Sequence, residues 1–257
     1  MRTKTRLDQA LTQRDLTPTR SQAESWIKLG RVSVDGRIVT KPGHFVDTAA
    51  DIRLSAPEQY VSRAGLKLAS VAHKFGVQFE DRTVLDAGSS TGGFTDYALQ
   101  HGAKKVIAVD VGTDQLHPSL QGDERIELHE KTDIRNVAIR NTKRTASEGV
   151  VEIDSYPDIV VIDVSFVSLR QILPSIAKLS GAETAILAMV KPQFEANKQQ
   201  VGASGVIKND SVRRQILKDF EQWTKQHFVT VNKADSDVKG ARGNLERFYL
   251  LKVISKH

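Results

Sequence analysis

The 257-residue chain contains no cysteine, which removes disulfides, thiolate zinc sites and cysteine nucleophiles together. Histidine offers no substitute, because the seven are scattered without an H-E-x-x-H pair, and no metal site is expected. Long apolar runs are missing as well. Nothing approaches the roughly 18 to 20 residues needed to span a bilayer, and the opening MRTKTRLDQALTQ lacks the apolar centre of a secretory signal. A membrane partner is therefore not expected, and the expected location is the cytoplasm. With 39% hydrophobic residues, a chain of this length can hold one large domain, or a core domain with a small accessory one.

What is present is unevenly spread. The net charge is +6, yet residues 1–45 carry nine Lys or Arg against four acids, so most of the excess lies at one end. Clustered basic charge in a small segment suits a polyanion, nucleic acid first and an anionic membrane second, or else simple solvation. In the same segment, Leu7, Leu11 and Leu16 fall on one helical face, and a second helix capped by Thr19 or Ser21 runs through Trp26 and Ile27 to Leu29, ending at Gly30. Val32, Val34, Ile38 and Val39 then alternate around Asp35-Gly36, a hairpin signal.

The stretch that organises the rest is Val84 to Phe94, VLDAGSSTGGF, where a short apolar strand stops at Asp86 and breaks into a glycine-rich turn. Gly88, Gly92 and Gly93 let backbone approach a ligand closely, and Thr91 or Thr95 stands near the start of the next helix. The dinucleotide pattern G-x-G-x-x-G would need glycine where Ser90 stands, so NAD fits poorly. Val106 to Val109 form the next strand and end at Asp110, placed to accept the hydroxyls of a ribose. Asp133, in the turn after the third strand, is placed to meet an adenine amino group.

Further strands follow at Ile159–Ile162, ending in Asp163, and Ile186–Val190, ending in Lys191-Pro192. Others lie at Phe228–Val231 and from near Glu246. An amphipathic helix carries Val212, Ile216, Phe220 and Trp223. Residues 141–157 read as a surface loop, and Gln193–Lys208 as a mobile loop over the site. Lys67 lies among apolar residues of a helix capped by Ser62, where a lysine ordinarily snorkels to the surface. If the last strand runs antiparallel beside Ile186–Val190, then Asp163, Lys191 and Glu246 converge at the sheet edge where open α/β folds bind ligands.

The stretch TRSQAESWIKLGRVSVDGRIVTKPG resembles the S4 RNA-binding domain. In that likeness Arg2, Lys4, Arg6, Arg20, Lys28 and Arg31 are the implied RNA contacts, chiefly to phosphate. Followed by YVSRAGLKL, VLDAGSSTGGFTD, VVIDVSFVSL, MVKPQFE and GNLERFYLL, the whole chain resembles the TlyA family, ribosomal RNA 2'-O-methyltransferases with an FtsJ-like catalytic domain. The resemblance implies an α/β fold: a Rossmann-like methyltransferase domain over 62–257, a seven-stranded mostly parallel sheet with its last strand antiparallel. A small α+β S4 domain over 1–54 and a linker over 55–61 complete it. It implies S-adenosylmethionine held by Asp86, Gly88, Ser89, Gly92, Gly93, Phe94, Asp110 and Asp133, and a catalytic tetrad Lys67, Asp163, Lys191 and Glu246. Lys191 is then the candidate base held by Asp163 and Glu246, Lys67 positions the target, and ribosomal RNA or a ribosomal subunit is the partner. Arg247 and Phe248 depart from the usual hydrophobic start of the last strand. Two other readings stand beside this one: a non-catalytic RNA-binding sensor of the cofactor, and the membrane-lytic role that the haemolysin label of some family members suggests.

Overall fold

The structure is a computed structural model that describes residues 4–17, 20–28, 30–54, 60–140, 148–197, 200–202 and 205–254. The expected contact Arg2, the cap Thr19, the helix end Leu29 and linker residues 55–59 lie outside them. The chain divides into two compact units, Met1–Arg63 and Ala64–His257.

The first unit contains β1 (Lys4–Arg6), α1 (Leu7–Gln13), α2 (Arg20–Lys28), β2 (Val32–Val34), β3 (Arg37–Ile38), β4 (Phe45–Asp47) and β5 (Ile52–Leu54). β1 pairs with β4, and β2 lies between β3 and β5. The turn joining β2 to β3 puts Asp35 at φ 49° and Gly36 at φ 76°, the two left-handed residues that a tight hairpin demands. Leu7 and Leu11 of α1 and Ala23, Trp26 and Ile27 of α2 are buried. Leu16 is not on that helical face: α1 ends at Gln13 and Asp15 turns left-handed at φ 54°, leaving Leu16 half-buried beyond the helix. Ser21 lies inside α2 rather than capping it, since the helix already begins at Arg20.

The body of α3 (Arg63–Phe75) opens the second unit. It is followed by β6 (Thr83–Ala87), α4 (Gly93–Gln100), β7 (Lys105–Val109), β8 (Ile126–His129), β9 (Val137–Ile139), β10 (Val151–Ile153), β11 (Ile159–Ile162) and α5 (Leu169–Lys178). The chain then forms β12 (Ala185–Val190), α6 (Pro192–Glu195), α7 (Asp210–Thr224), β13 (Phe228–Asp235) and β14 (Arg247–Val253). Seven strands make one sheet in the order β13-β14-β12-β11-β6-β7-β8. β6, β7, β8, β11 and β12 are parallel, and β14 runs antiparallel to both its neighbours. The near-continuous apolar runs of β11 and β12 are buried on both faces, as a central parallel strand requires. α7 is capped by Asn209, whose Oδ1 accepts from the Ser211 amide at 2.8 Å, and packs Ile216, Leu217 and Phe220 inward.

The second unit also departs from the sequence expectation, beginning with α6, whose Gln193–Glu195 fall in the expected loop. Part of the 141–157 loop is strand: Val151–Ile153 pairs in parallel with Val137–Ile139, and Ile153 enters the main core. Three residues are too few for a periodic signal, so only the partner reveals the strand. β13 also runs four residues past Val231 to Asp235, across an irregularity between Thr230 and Asn232, because β14 supplies partners that far.

Candidate active site

The glycine turn is shaped by close approach. Gly88 sits at φ 87°, and a Cβ there would lie 2.9 Å from the carbonyl oxygen of Asp163, so the turn after β6 passes the end of β11 only without a side chain. Gly92, at φ 88°, packs under Leu120 and Leu116, which a Cβ would meet at 2.5 and 2.8 Å. Ser90, at φ 46°, directs its amide at Asp110 Oδ2 at 2.9 Å, while the Gly112 amide donates to Asp110 Oδ1 at 2.7 Å. The Asp110 carboxylate is thereby pinned, with a lone pair on each oxygen still free to accept.

A cavity of about 470 Å³ opens here, lined by Gly88, Ser90, Asp110, Asp133, Ile134, Asp163, Val164 and Phe166 among others. A pinned carboxylate with acceptor capacity left on each oxygen, beside an apolar wall, fits the nucleoside end of S-adenosylmethionine. Asp133 lines the same cavity, and the Arg135 guanidinium donates to its two oxygens at 2.9 and 2.6 Å, leaving acceptor capacity on Oδ2. That hydrogen-bonded guanidinium holds its carboxyl below the usual value.

The other expected cofactor residues do not line this cavity. Asp86 is fully buried, accepts from Thr95 Oγ1 at 2.7 Å, and has a second oxygen with no hydrogen-bond partner among the described residues. Burial pushes its carboxyl up to about 7. The Ser89 hydroxyl is likewise buried without a partner among the described residues. Gly93 begins α4, and Phe94 is turned into the core against Phe248, ring centroids 6.0 Å apart.

Beside this cavity lies another of about 310 Å³, lined by Lys67, Lys191, Glu246, Phe194, Arg242 and Asn244 among others. Ser165 and Phe166 belong to the walls of both. Lys191, at the end of β12, contacts Asp163 Oδ1 at 2.6 Å and donates to Ser165 Oγ at 2.7 Å. Lys67, on α3, contacts Glu246 Oε2 at 2.6 Å. Both lysines are only 9% exposed. The structure thus brings all four predicted residues together, but as two pairs rather than one lysine between two acids. Glu246 lies over Gly240, where a Cβ would come within 2.6 Å of Oε1, and it meets the lysine that α3 presents.

Phe166, Glu195 and Asn244 stand within VVIDVSFVSL, MVKPQFE and GNLERFYLL, but their local pattern assigns them no role. Phe166 is 89% exposed at the shared wall, in the left-handed region at φ 65°, with its ring 5.3 Å from that of Phe194. A phenylalanine after an apolar strand reads as core, so only the structure exposes it. Glu195 is buried at the N-terminus of α5, and burial raises its carboxyl. Asn244 accepts from the Ile207 amide and donates to the Gly205 carbonyl, both at 3.0 Å. It ties part of the expected mobile loop to the segment before β14.

In the first unit, Arg6 and Arg20 both grip the wholly buried Asp8, at 2.8 and 2.9 Å. Burial pushes the Asp8 carboxyl up, but the two arginines outweigh it and hold it low. Lys28 reaches Glu24 at 3.6 Å, and Lys4 and Arg31 are exposed. Among the described residues, no group of three or more His, Asp or Glu side chains is placed to hold a metal, and no helix is long and apolar enough to cross a membrane.

A seven-stranded sheet in this order, with a glycine turn after its central strand, defines the second unit as a Rossmann-like methyltransferase. Residues 60–253 match the FtsJ-like methyltransferase family, and residues 5–52 match the S4 domain. The chain belongs to the TlyA family of S4-bearing, FtsJ-like methyltransferases. It is 38% identical to YqxC of Bacillus subtilis, named as a candidate rRNA methyltransferase, over 95% of this chain and 84% of that one. It is 34% identical to the 16S/23S rRNA (cytidine-2'-O)-methyltransferase TlyA of Mycobacterium tuberculosis, over 98% and 91%. A solved structure from Streptococcus thermophilus, named as a candidate hemolysin, superposes with TM-score 0.69 at 34% identity, covering all of this chain and 90% of the other.

Proposed function

We propose that this protein transfers a methyl group from S-adenosylmethionine to a ribose 2'-hydroxyl of ribosomal RNA, acting in the cytoplasm. The observation that carries the reading is the shared wall. A cavity suited to a nucleoside adjoins a second one lined by two buried lysines, each facing a carboxylate. The names of the relatives favour the same substrate.

When bound, the cofactor supplies a methyl group on a sulfonium, open to displacement by an oxygen nucleophile. Asp110, which accepts from the amides of Ser90 and Gly112, would hold its ribose, and Asp133 and Ile134 would flank the base. Lys191 meets the target hydroxyl: as the ammonium it orients the oxygen, and as the neutral amine it accepts the proton. Asp163 and Ser165 keep its nitrogen in place. Lys67, held by Glu246, contacts the target ribose or its phosphate, and Phe166 offers the flat face on which the target base stacks. In the first unit, Lys4, Arg20, Lys28 and Arg31 meet RNA phosphates, with Arg6 braced by Asp8 beside them. Alignment of the hydroxyl with the methyl group contributes much of the rate.

The test is tritium transfer from labelled cofactor to purified ribosomal subunits. Lys191→Ala should lower the rate by roughly 10² to 10⁴, the scale of a lost general base. The wild-type product should yield alkali-resistant dinucleotides. Cofactor binding without transfer to either subunit would overturn the reading in favour of an RNA-binding sensor.

A further inference from the structure

Asp163 and Lys191 stand on separate loops, after β11 and after β12, and their meeting depends on how those loops are held. α6 is a single turn with Lys191 at its N-cap and Glu195 at its end. The Glu195 side chain is 1% exposed. Its Oε2 accepts from Ser168 Oγ and its Oε1 from the Leu169 amide, both at 2.6 Å, with Arg170 Nε 3.7 Å away. Ser168 Oγ in turn accepts from the Arg170 amide at 3.1 Å, so its own proton is free for Glu195. Leu169 begins α5, and a first-turn amide has no partner within its own helix. Two donors converge on this buried point, and the carboxylate meets each of them with a separate oxygen. Glu195, Ser168 and Leu169 line neither of the two cavities.

We propose that Glu195 is a positioning residue, joining the α6 turn to the N-terminus of α5 and so fixing Lys191 against Asp163 and Ser165. The inference rests on the reading of Lys191 as the group that meets the target hydroxyl. Without the carboxylate, the Leu169 amide is buried unpaired and the loop bearing Lys191 loses its link to the loop bearing Asp163 and Ser165. Glutamine restores one acceptor, and the Ser168 hydroxyl can rotate to receive the amide nitrogen.

The experiment uses the full chain with Glu195→Ala, Glu195→Gln and Ser168→Ala. Acetylation of each lysine by acetic anhydride is followed by peptide mass spectrometry. Lys191 should react roughly tenfold faster in Glu195→Ala, the scale of one lost buried hydrogen bond, and less than that in the other two variants. Lys67, paired from another element, should keep its wild-type rate. In the transfer assay kcat should fall by a similar factor while KM for S-adenosylmethionine holds, with partial recovery in Glu195→Gln. An unchanged Lys191 rate and kcat in Glu195→Ala would overturn the proposal, as would equal acceleration of Lys67, which marks general loosening. Should that variant not fold, the other two decide by the same criteria. If the wild type shows no Lys191-dependent transfer, the reaction assignment fails while the acetylation rates still judge the link.

Discussion

Each lysine of the site is buried with its own acid, and the two contacts at 2.6 Å are ion pairs in which Asp163 Oδ1 and Glu246 Oε2 are off the hydrogen-bond line. Breaking such a pair from one side strands the other charge, so these side chains are costly to lose singly. Asp86 behaves differently. Burial first of all, against the Thr95 hydrogen bond, raises its folded value to about 7 from 3.8. The folded state therefore holds a proton that the unfolded chain releases, and its contribution is complete below about 3.8 and is lost as pH rises through 7. Asp86→Asn should remove that slope: urea midpoints of the variant should change less between pH 5 and pH 8 than those of the wild type. Parallel pH profiles would show that Asp86 is ionised throughout.

Among the elements, the edge pair β13 and β14 explains the unusual start of the last strand. Arg247 stands opposite Asp235 in the ladder, and its Nε donates to Asp235 Oδ1 at 2.6 Å. Arg213 of α7 reaches the same oxygen at 2.6 Å and the Leu245 carbonyl at 3.1 Å. Phe248 is wholly buried. The polar start thus locks strand, helix and edge just beside Glu246, whose own carbonyl accepts from the Ser236 amide at 2.9 Å. Burial pushes the Asp235 carboxyl up, but the two arginines outweigh it and hold it low. Asp235→Ala should therefore cost about 1 to 3 kcal/mol of stability at pH 7, with the loss shrinking as pH falls below the usual carboxylate range. Thermal unfolding at pH 7 and at a pH well below 3.8 measures both, and an equal loss at the two values would contradict the pairing.

In the molecule as a whole, each unit has buried side chains of its own, around Leu7, Leu11, Trp26 and Ile27 in the first and across both faces of the sheet in the second. Residues 64–257 alone should fold and bind S-adenosylmethionine with the affinity of the full chain, as calorimetry would show. Their affinity for ribosomal RNA should fall less steeply with salt, since each phosphate contact removed takes about 0.7 to 0.9 from the slope of log K against log salt. Equal slopes for the truncated and full chains would remove the first unit from RNA binding.

The local features were legible in the sequence. Apolar runs marked the seven main strands, Asp35-Gly36 the hairpin, and Gly88, Gly92 and Gly93 the turn after the central strand, because backbone preference and side-chain periodicity act between chain neighbours. Asp163 and Lys191 after their strands and Glu246 before the last one pointed to a site only as a set, since a single polar residue at a strand end is ordinarily a cap or a solvent contact. Which acid meets which lysine was decided by the tertiary structure, where α3 carries Lys67 to Glu246 and leaves Lys191 to Asp163 and Ser165. The same holds for the strand at Val151–Ile153, the exposed ring of Phe166, the buried Asp8 and the reach of Glu195 to Ser168. Each depends on surfaces brought together from distant parts of the chain, and no local pattern encodes such a meeting.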